Sequence, residues 1–132
     1  MTDTKKMNKG IINMTINELI DKLNTQPDNI DFTDVIETIE AHYDYTPTRF
    51  MNGKNGKTAI NEAGQNEGSC KIFAFAKLND LDEKQTLACF GRYYRDDVLS
   101  NPHGDDHANI RNFMHHGWDG IMFDGEVLKT KA

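Results

Sequence analysis

Cysteine, basic side chains and long apolar runs are all scarce in this chain of 132 residues. The two cysteines, Cys70 and Cys89, show no CxxC or Cys/His spacing, which argues against a disulfide-stapled scaffold or a zinc knuckle. Both lie in apolar surroundings, so buried free thiols in a reducing compartment are expected, although sequence leaves a pairing between them open. No stretch approaches the ~18 apolar residues that a membrane span needs. No charged-then-apolar leader opens the chain either, so a cytoplasmic protein without a membrane partner is expected. Lys and Arg number 15 against 21 Asp and Glu, a net charge of −6. Nucleic acid is therefore not expected as a partner, because binding phosphates relies on Lys and Arg displacing counterions. Lys5, Lys6 and Lys9 form the densest basic patch and read as a solvated tail. Internal repeats and low-complexity segments are missing too.

The apolar residues that are present cluster periodically, as in a folded domain with a polar surface. Residues 1–14 are polar and read as a flexible arm; residues 15–132 read as one globular domain. Thr15 and Glu18 have capping-box spacing, and Ile16, Leu19, Ile20 and Leu23 mark one helical face that Pro27 ends. Asp31 is a good N-cap for a second helix, whose buried stripe is Phe32, Val35, Ile36, Ile39 and Tyr43. Pro47 holds Thr46 extended. Asn52-Gly53 and Asn55-Gly56 signal turns within a strand-loop-strand over about Thr48 to Asn61. A polar loop follows to Ser69, which can cap a buried helix over Cys70 to Leu78. Asp82 and Gln85 repeat the capping-box spacing, and Leu87, Phe90, Gly91, Tyr94 and Val98 continue one helical face to Asn101-Pro102. Asp105 or Asp106 caps a last helix with Ile110, Phe113 and Met114 inward and Gly117 just past its end. Ile121 to Phe123, Asp124-Gly125 and Val127-Leu128 read as a two-residue hairpin. The fold expected is α+β, mostly α. About five helices pack as a bundle with a small antiparallel sheet from residues 48–60 and 120–128.

Several unusual strings occur in order. They are Tyr45-Thr46-Pro47-Thr48-Arg49-Phe50-Met51-Asn52-Gly53, Ala63-Gly64-Gln65-Asn66-Glu67-Gly68-Ser69-Cys70-Lys71, and Thr86-Leu87-Ala88-Cys89-Phe90-Gly91-Arg92-Tyr93-Tyr94-Arg95. Asn101-Pro102-His103-Gly104, His107-Ala108-Asn109-Ile110-Arg111-Asn112-Phe113-Met114 and His116-Gly117-Trp118-Asp119-Gly120-Ile121 complete the series. The chain resembles the HopJ type III effector family from about Thr15 to Leu128. That resemblance implies delivery from Gram-negative bacteria into plant cells by type III secretion. It supplies no reaction and no catalytic residue set.

Two polar stretches are the site candidates. Asn61, Gln65, Asn66 and Glu67 belong to a loop with two glycines, Gly64 and Gly68, just before a helix, where backbone donors suit an anion and Glu67 has the chemistry of a general base. The bland alternative is a loop whose amides satisfy one another. His107, Arg111 and His115 recur every four residues on one helix face. Lys71 and Arg111 have the charge to hold an anion, or to form ordinary salt bridges. His103, Asp106 and His107 could approach one ion, but the spacing lacks a zinc signature, and neither a metal nor a cofactor is expected. Cys70 near a helix N-terminus is a conceivable nucleophile, with a buried thiol favoured. Trp118, Tyr93 and Tyr94 read as core aromatics whose polar tips find partners. The function expected is a small binding or interaction domain for a protein or small molecule. The alternative is a small hydrolase or transferase with its site between the 61–71 loop and the 105–117 helix. Oligomeric state is not legible.

Overall fold

The computed structural model describes residues 14–131; the expected arm over residues 1–14 falls outside it except for Met14. The chain starts with α1 (Ile16–Thr25). Its capping box forms as read, with the Glu18 amide donating to Thr15 Oγ1 (3.0 Å) and the Thr15 amide to Glu18 Oε1 (2.8 Å). Leu19 and Leu23 are buried, while Ile16 and Ile20 pack against the core's margin. α2 (Phe32–His42) starts after Asp31, though the Asp31 side chain makes no capping bond. Val35, Thr38 and Ile39 are its buried face. Tyr43, expected on that helix, is buried but opens strand β1 (Tyr43–Tyr45).

α3 (Glu67–Leu78) is the central helix, and Cys70, Ile72, Phe73, Ala74, Phe75 and Ala76 are all buried on it. Apolar residues on every side leave no solvated stripe over that stretch, which fits a helix enclosed by other elements. Phe73 sits at the middle, with ring centroids of Phe50, Phe90, Phe113 and Trp118 5.0 to 6.5 Å away. Ser69 does not cap this helix. The helix starts three residues earlier, after Asn66 in a left-handed conformation.

α4 (Glu83–Ala88) carries the second capping box, between Asp82 and Gln85. The long helix expected here breaks at Gly91, whose φ is +60°. A Cβ at Gly91 would lie 2.8 Å from the Phe32 amide nitrogen and 3.1 Å from the Ile30 carbonyl oxygen. Glycine is needed both for the left-handed turn and for the close approach of α2. After the break, Tyr93–Val98 winds as a π-helical turn. The N-cap position of α5 (Ala108–His116) falls at His107, which makes no side-chain capping bond, and not at Asp105 or Asp106; Asp106 instead bonds Arg111. Gly117 ends it at positive φ, as the sequence indicates. Met114 is 42% exposed and Tyr93 43%, against the inward placement expected of both. Trp118 is half-buried with Nε1 donating to the Leu81 carbonyl (3.2 Å).

The C-terminal hairpin does not form as such. β4 (Ile121–Phe123) joins β2 (Phe50–Asn52) and β3 (Ala59–Asn61) in an antiparallel sheet of order β3-β2-β4. β5 (Leu128–Thr130) pairs instead with β1. The step between them is held to the first sheet: the Asp124 amide donates to the Arg49 carbonyl (3.0 Å) and the Asp124 carboxylate binds Arg49 (2.9 Å). Asp124-Gly125 is therefore a crossing between two sheets. The expected pairing of the 48–60 and 120–128 segments holds through β2 and β4, with Met51 opposite Met122. Both described ends of the chain reach His42. Its Nε2 contacts the Met14 carbonyl at 3.0 Å, and the Lys131 amide donates to its carbonyl at 3.1 Å.

Candidate functional site

The first turns of α3 and α5 converge with β3 on a solvent-open cleft of about 360 Å³. Its wall includes Asn61, Asn66, Ser69, His107 and Asn109, with Ile60 at its edge. Three of these are carboxamides, and they form one network. Asn61 Oδ1 accepts from Asn66 Nδ2 (2.7 Å) and from Asn109 Nδ2 (2.9 Å). Asn109 Oδ1 accepts from Asn61 Nδ2 (3.2 Å) and from Asn52 Nδ2 (3.1 Å). Asn52 also donates to the Asn109 carbonyl (2.8 Å). Asn52 and Asn61 are at most 2% exposed, so each bond replaces a lost contact with water. The network ties β2 and β3 to α5 and fixes the floor of the cleft.

Both helices enter the cleft in the same unusual way. Their N-cap residues, Asn66 and His107, have φ of +50° and +51°, and neither helix has a side-chain cap bond. A non-glycine residue in this region costs on the order of 1 kcal/mol or more, and such residues cluster at functional sites. The two N-termini also bring the positive ends of their dipoles to the cleft. His107 is fixed from the π-helical turn: its Nε2 lies 2.9 Å from Asp97 Oδ2, and its ring packs at a tilt against Tyr93, with centroids 5.1 Å apart. Tyr93 in turn meets Phe32 edge-on at 5.1 Å. The π turn, which inserts residues into a helical path, is what carries Tyr93 and Asp97 to His107.

Of the residues singled out from sequence, Asn61, Asn66 and His107 line the cleft together. The others have separate work. Gln65 Oε1 accepts from the Glu62 amide (3.1 Å) and closes its own loop. Glu67 accepts from the Tyr45 hydroxyl (2.9 Å). Burial and that carboxylate raise the Tyr45 phenol well above its ordinary value. Lys71 pairs with Glu40 (2.9 Å) and lies over the Tyr45 ring. Arg111 holds the preceding loop, donating to the Asn101 carbonyl (2.9 Å), the Asp106 carbonyl (2.6 Å) and the Asp106 carboxylate. That guanidinium keeps Asp106 below the ordinary carboxylate range. His115 is exposed on the outer face of α5.

Cys70 and Cys89 are buried and unpaired with each other. Burial pushes the Cys70 thiol up to about 11 and Cys89 to about 12, so a thiolate nucleophile is strongly disfavoured near neutrality. Among the described residues, no three His, Cys, Asp or Glu side chains gather as a metal site would need. No helix among them is long and apolar enough to cross a membrane.

Sequence reasoning passed over Asn52, Ser69, Asp97 and Asn109. Asn109 had a readable signal. It lies four residues before Phe113 and next to Ile110, so it is an amide on the apolar stripe of α5, where a buried carboxamide must find partners.

The sequence profile of the HopJ type III effector proteins matches residues 16–128. The chain belongs to that family. This HopJ domain is also similar to the crystal structure of an unknown function protein, VPA0580, at 48% identity and a TM-score of 0.85. The similarity covers 91% of this chain and 97% of the other. No curated protein matches the HopJ chain.

Proposed function

We propose that this HopJ domain is a binding domain and that its ligand is a small polar molecule held in the amide cleft. The observation that carries this reading is the meeting of Asn61, Asn66, Asn109 and His107, from three separate elements, around one opening. A cleft of about 360 Å³ falls within the size range of ordinary small-ligand sites. Support also comes from the strained caps, which a protein has no general reason to place side by side. The hydrolase or transferase alternative has less behind it. It needs charged groups turned toward a substrate, but Arg111, Lys71 and Glu67 are each engaged elsewhere.

The test is an NMR titration of the labelled protein with a panel of uncharged sugars, free amino acids and small carboxylates. Saturable shifts are expected at Asn61, Asn66, Ser69 and Asn109. Asn66→Ala and His107→Ala are expected to weaken binding at least tenfold, a change of about 1.4 kcal/mol. Saturable shifts centred elsewhere, or undiminished in both variants, would rule the cleft out. We further infer from the family that the domain acts after delivery into a host cell through type III secretion. A translocation reporter fused to the full chain tests this, with secretion-deficient bacteria giving no signal.

A further inference from the structure

We propose that Asn55-Gly56 is a site of spontaneous covalent modification, deamidation through a cyclic imide, and that the fold protects Asn52-Gly53 from the same reaction. The two dipeptides are chemically alike and only three residues apart. In an unfolded chain they would react alike. The structure gives them opposite surroundings.

Asn55 and Gly56 are the exposed centre of a tight turn closed by the Lys57 amide on the Lys54 carbonyl (3.0 Å). Both have positive φ, +57° and +80°, the signature of a type I′ turn. Among the described residues, nothing bonds the Asn55 side chain or accepts from the Gly56 amide. A Cβ built on Gly56 would meet no atom within 4 Å, so water and a moving side chain have room. Asn52, by contrast, is 0% exposed. Its Nδ2 donates to the Asn109 carbonyl and Oδ1. The nitrogen that would have to attack, on Gly53, already donates to the Gly120 carbonyl (3.0 Å). A Cβ on Gly53 would lie only 2.5 Å from the Lys57 carbonyl oxygen, so the backbone there has no room to turn.

In the reaction the Gly56 amide nitrogen loses its proton and attacks Asn55 Cγ. A new C–N bond closes the five-membered imide as the C–NH2 bond breaks, and the side-chain nitrogen leaves as ammonia. Water then adds to one of the two imide carbonyls and opens the ring. Opening one way leaves an ordinary aspartate in place of Asn55; opening the other leaves isoaspartate, with an extra methylene in the main chain. No oxidant or reductant takes part. Either product places a carboxylate beside Lys54 and Lys57. The isoaspartate also lengthens the connection between β2 and β3, whose far end is held to α5 by Asn112 Nδ2 on the Lys57 carbonyl (3.1 Å).

The experiment incubates the full chain in mildly alkaline buffer and follows both sites by mass spectrometry. Cleavage after Lys54 puts the two dipeptides on separate peptides. The Asn55 peptide is expected to gain the mass difference between an acid and an amide, and the intact incubated chain is expected to become a substrate for isoaspartate methyltransferase. The Asn52 peptide from the folded protein is expected to stay at least tenfold behind, and the gap should close when the chain is incubated in denaturant. Equal rates at the two sites in the folded protein would overturn the proposal, as would an unchanged Asn55 in folded protein when the denatured chain reacts. Asn55→Gln supplies the control, since its longer side chain closes the ring poorly and the folded protein should then show no conversion.

Discussion

Asn109 sits in the middle of a buried chain of carboxamides, and its removal takes hydrogen bonds from both neighbours. Asn109→Ala takes one of two donors from Asn61 Oδ1 and the side-chain acceptor from both Asn52 and Asn61. The expected loss is roughly 1–3 kcal/mol, the cost of leaving buried polar groups unmatched, read as a lower urea midpoint with an unchanged slope. Asn112→Ala serves as the comparison. Its side chain reaches only two backbone carbonyls, that of Asn52 and the exposed one of Lys57, and should cost clearly less. If the two variants prove equally stable, the network contributes nothing beyond packing. The amides of the 61–66 loop could be noticed in the sequence because they stand in an otherwise plain polar stretch. What they bond to could not, since their main partner lies 48 residues further along the chain.

The helices were largely legible because their signals are local. Thr15 with Glu18, and Asp82 with Gln85, form the capping boxes that their spacing announces. The apolar stripes of α1 and α2 face the core as periodicity indicates, with Leu19, Leu23, Val35 and Ile39 buried and Ile16, Ile20, Phe32 and Ile36 at its margin. Local signals failed where a distant element decided the outcome. Gly91 sits in a stripe that reads as continuous helix, but the backbone of α2 lies against it and imposes a break. The segments around Asp124-Gly125 suit a hairpin, yet β2 and β1 each had an open edge to offer, and short strands gain more by joining those than by pairing alone. The start of α5 escaped for a related reason: Arg111 claims Asp106, and the helix begins after His107 instead. The Gly91 break makes its own prediction. Gly91→Ala should destabilise the protein by about 2 kcal/mol or more, since the added methyl meets α2 and positive φ is strained for alanine. Thermal unfolding reads the loss. A neutral effect would mean that α2 yields without cost.

For the molecule as a whole, alkaline pH is the condition that should undo it. Cys70 and Cys89 would ionise near 9 in the unfolded chain but are held up at about 11 and about 12 in the fold. Below pH 9 both forms are neutral and the folded state keeps its full advantage. As pH rises past that value only the unfolded chain loses protons, so stability falls until the folded thiols ionise as well. The half-buried Tyr45 phenol acts in the same direction. Denaturant midpoints are expected to drop steadily from about pH 9 to about pH 11, and Cys89→Ala should flatten the decline. A midpoint indifferent to pH across that interval would show that the thiols see water.

His42 has a part in this architecture that no single bond conveys. Since Met14 and Lys131 are both moored to it, a short connector could join those positions and turn the backbone into a ring without severing a helix or strand. Cargo fused ahead of Met14 or behind Lys131 would emerge from the same flank.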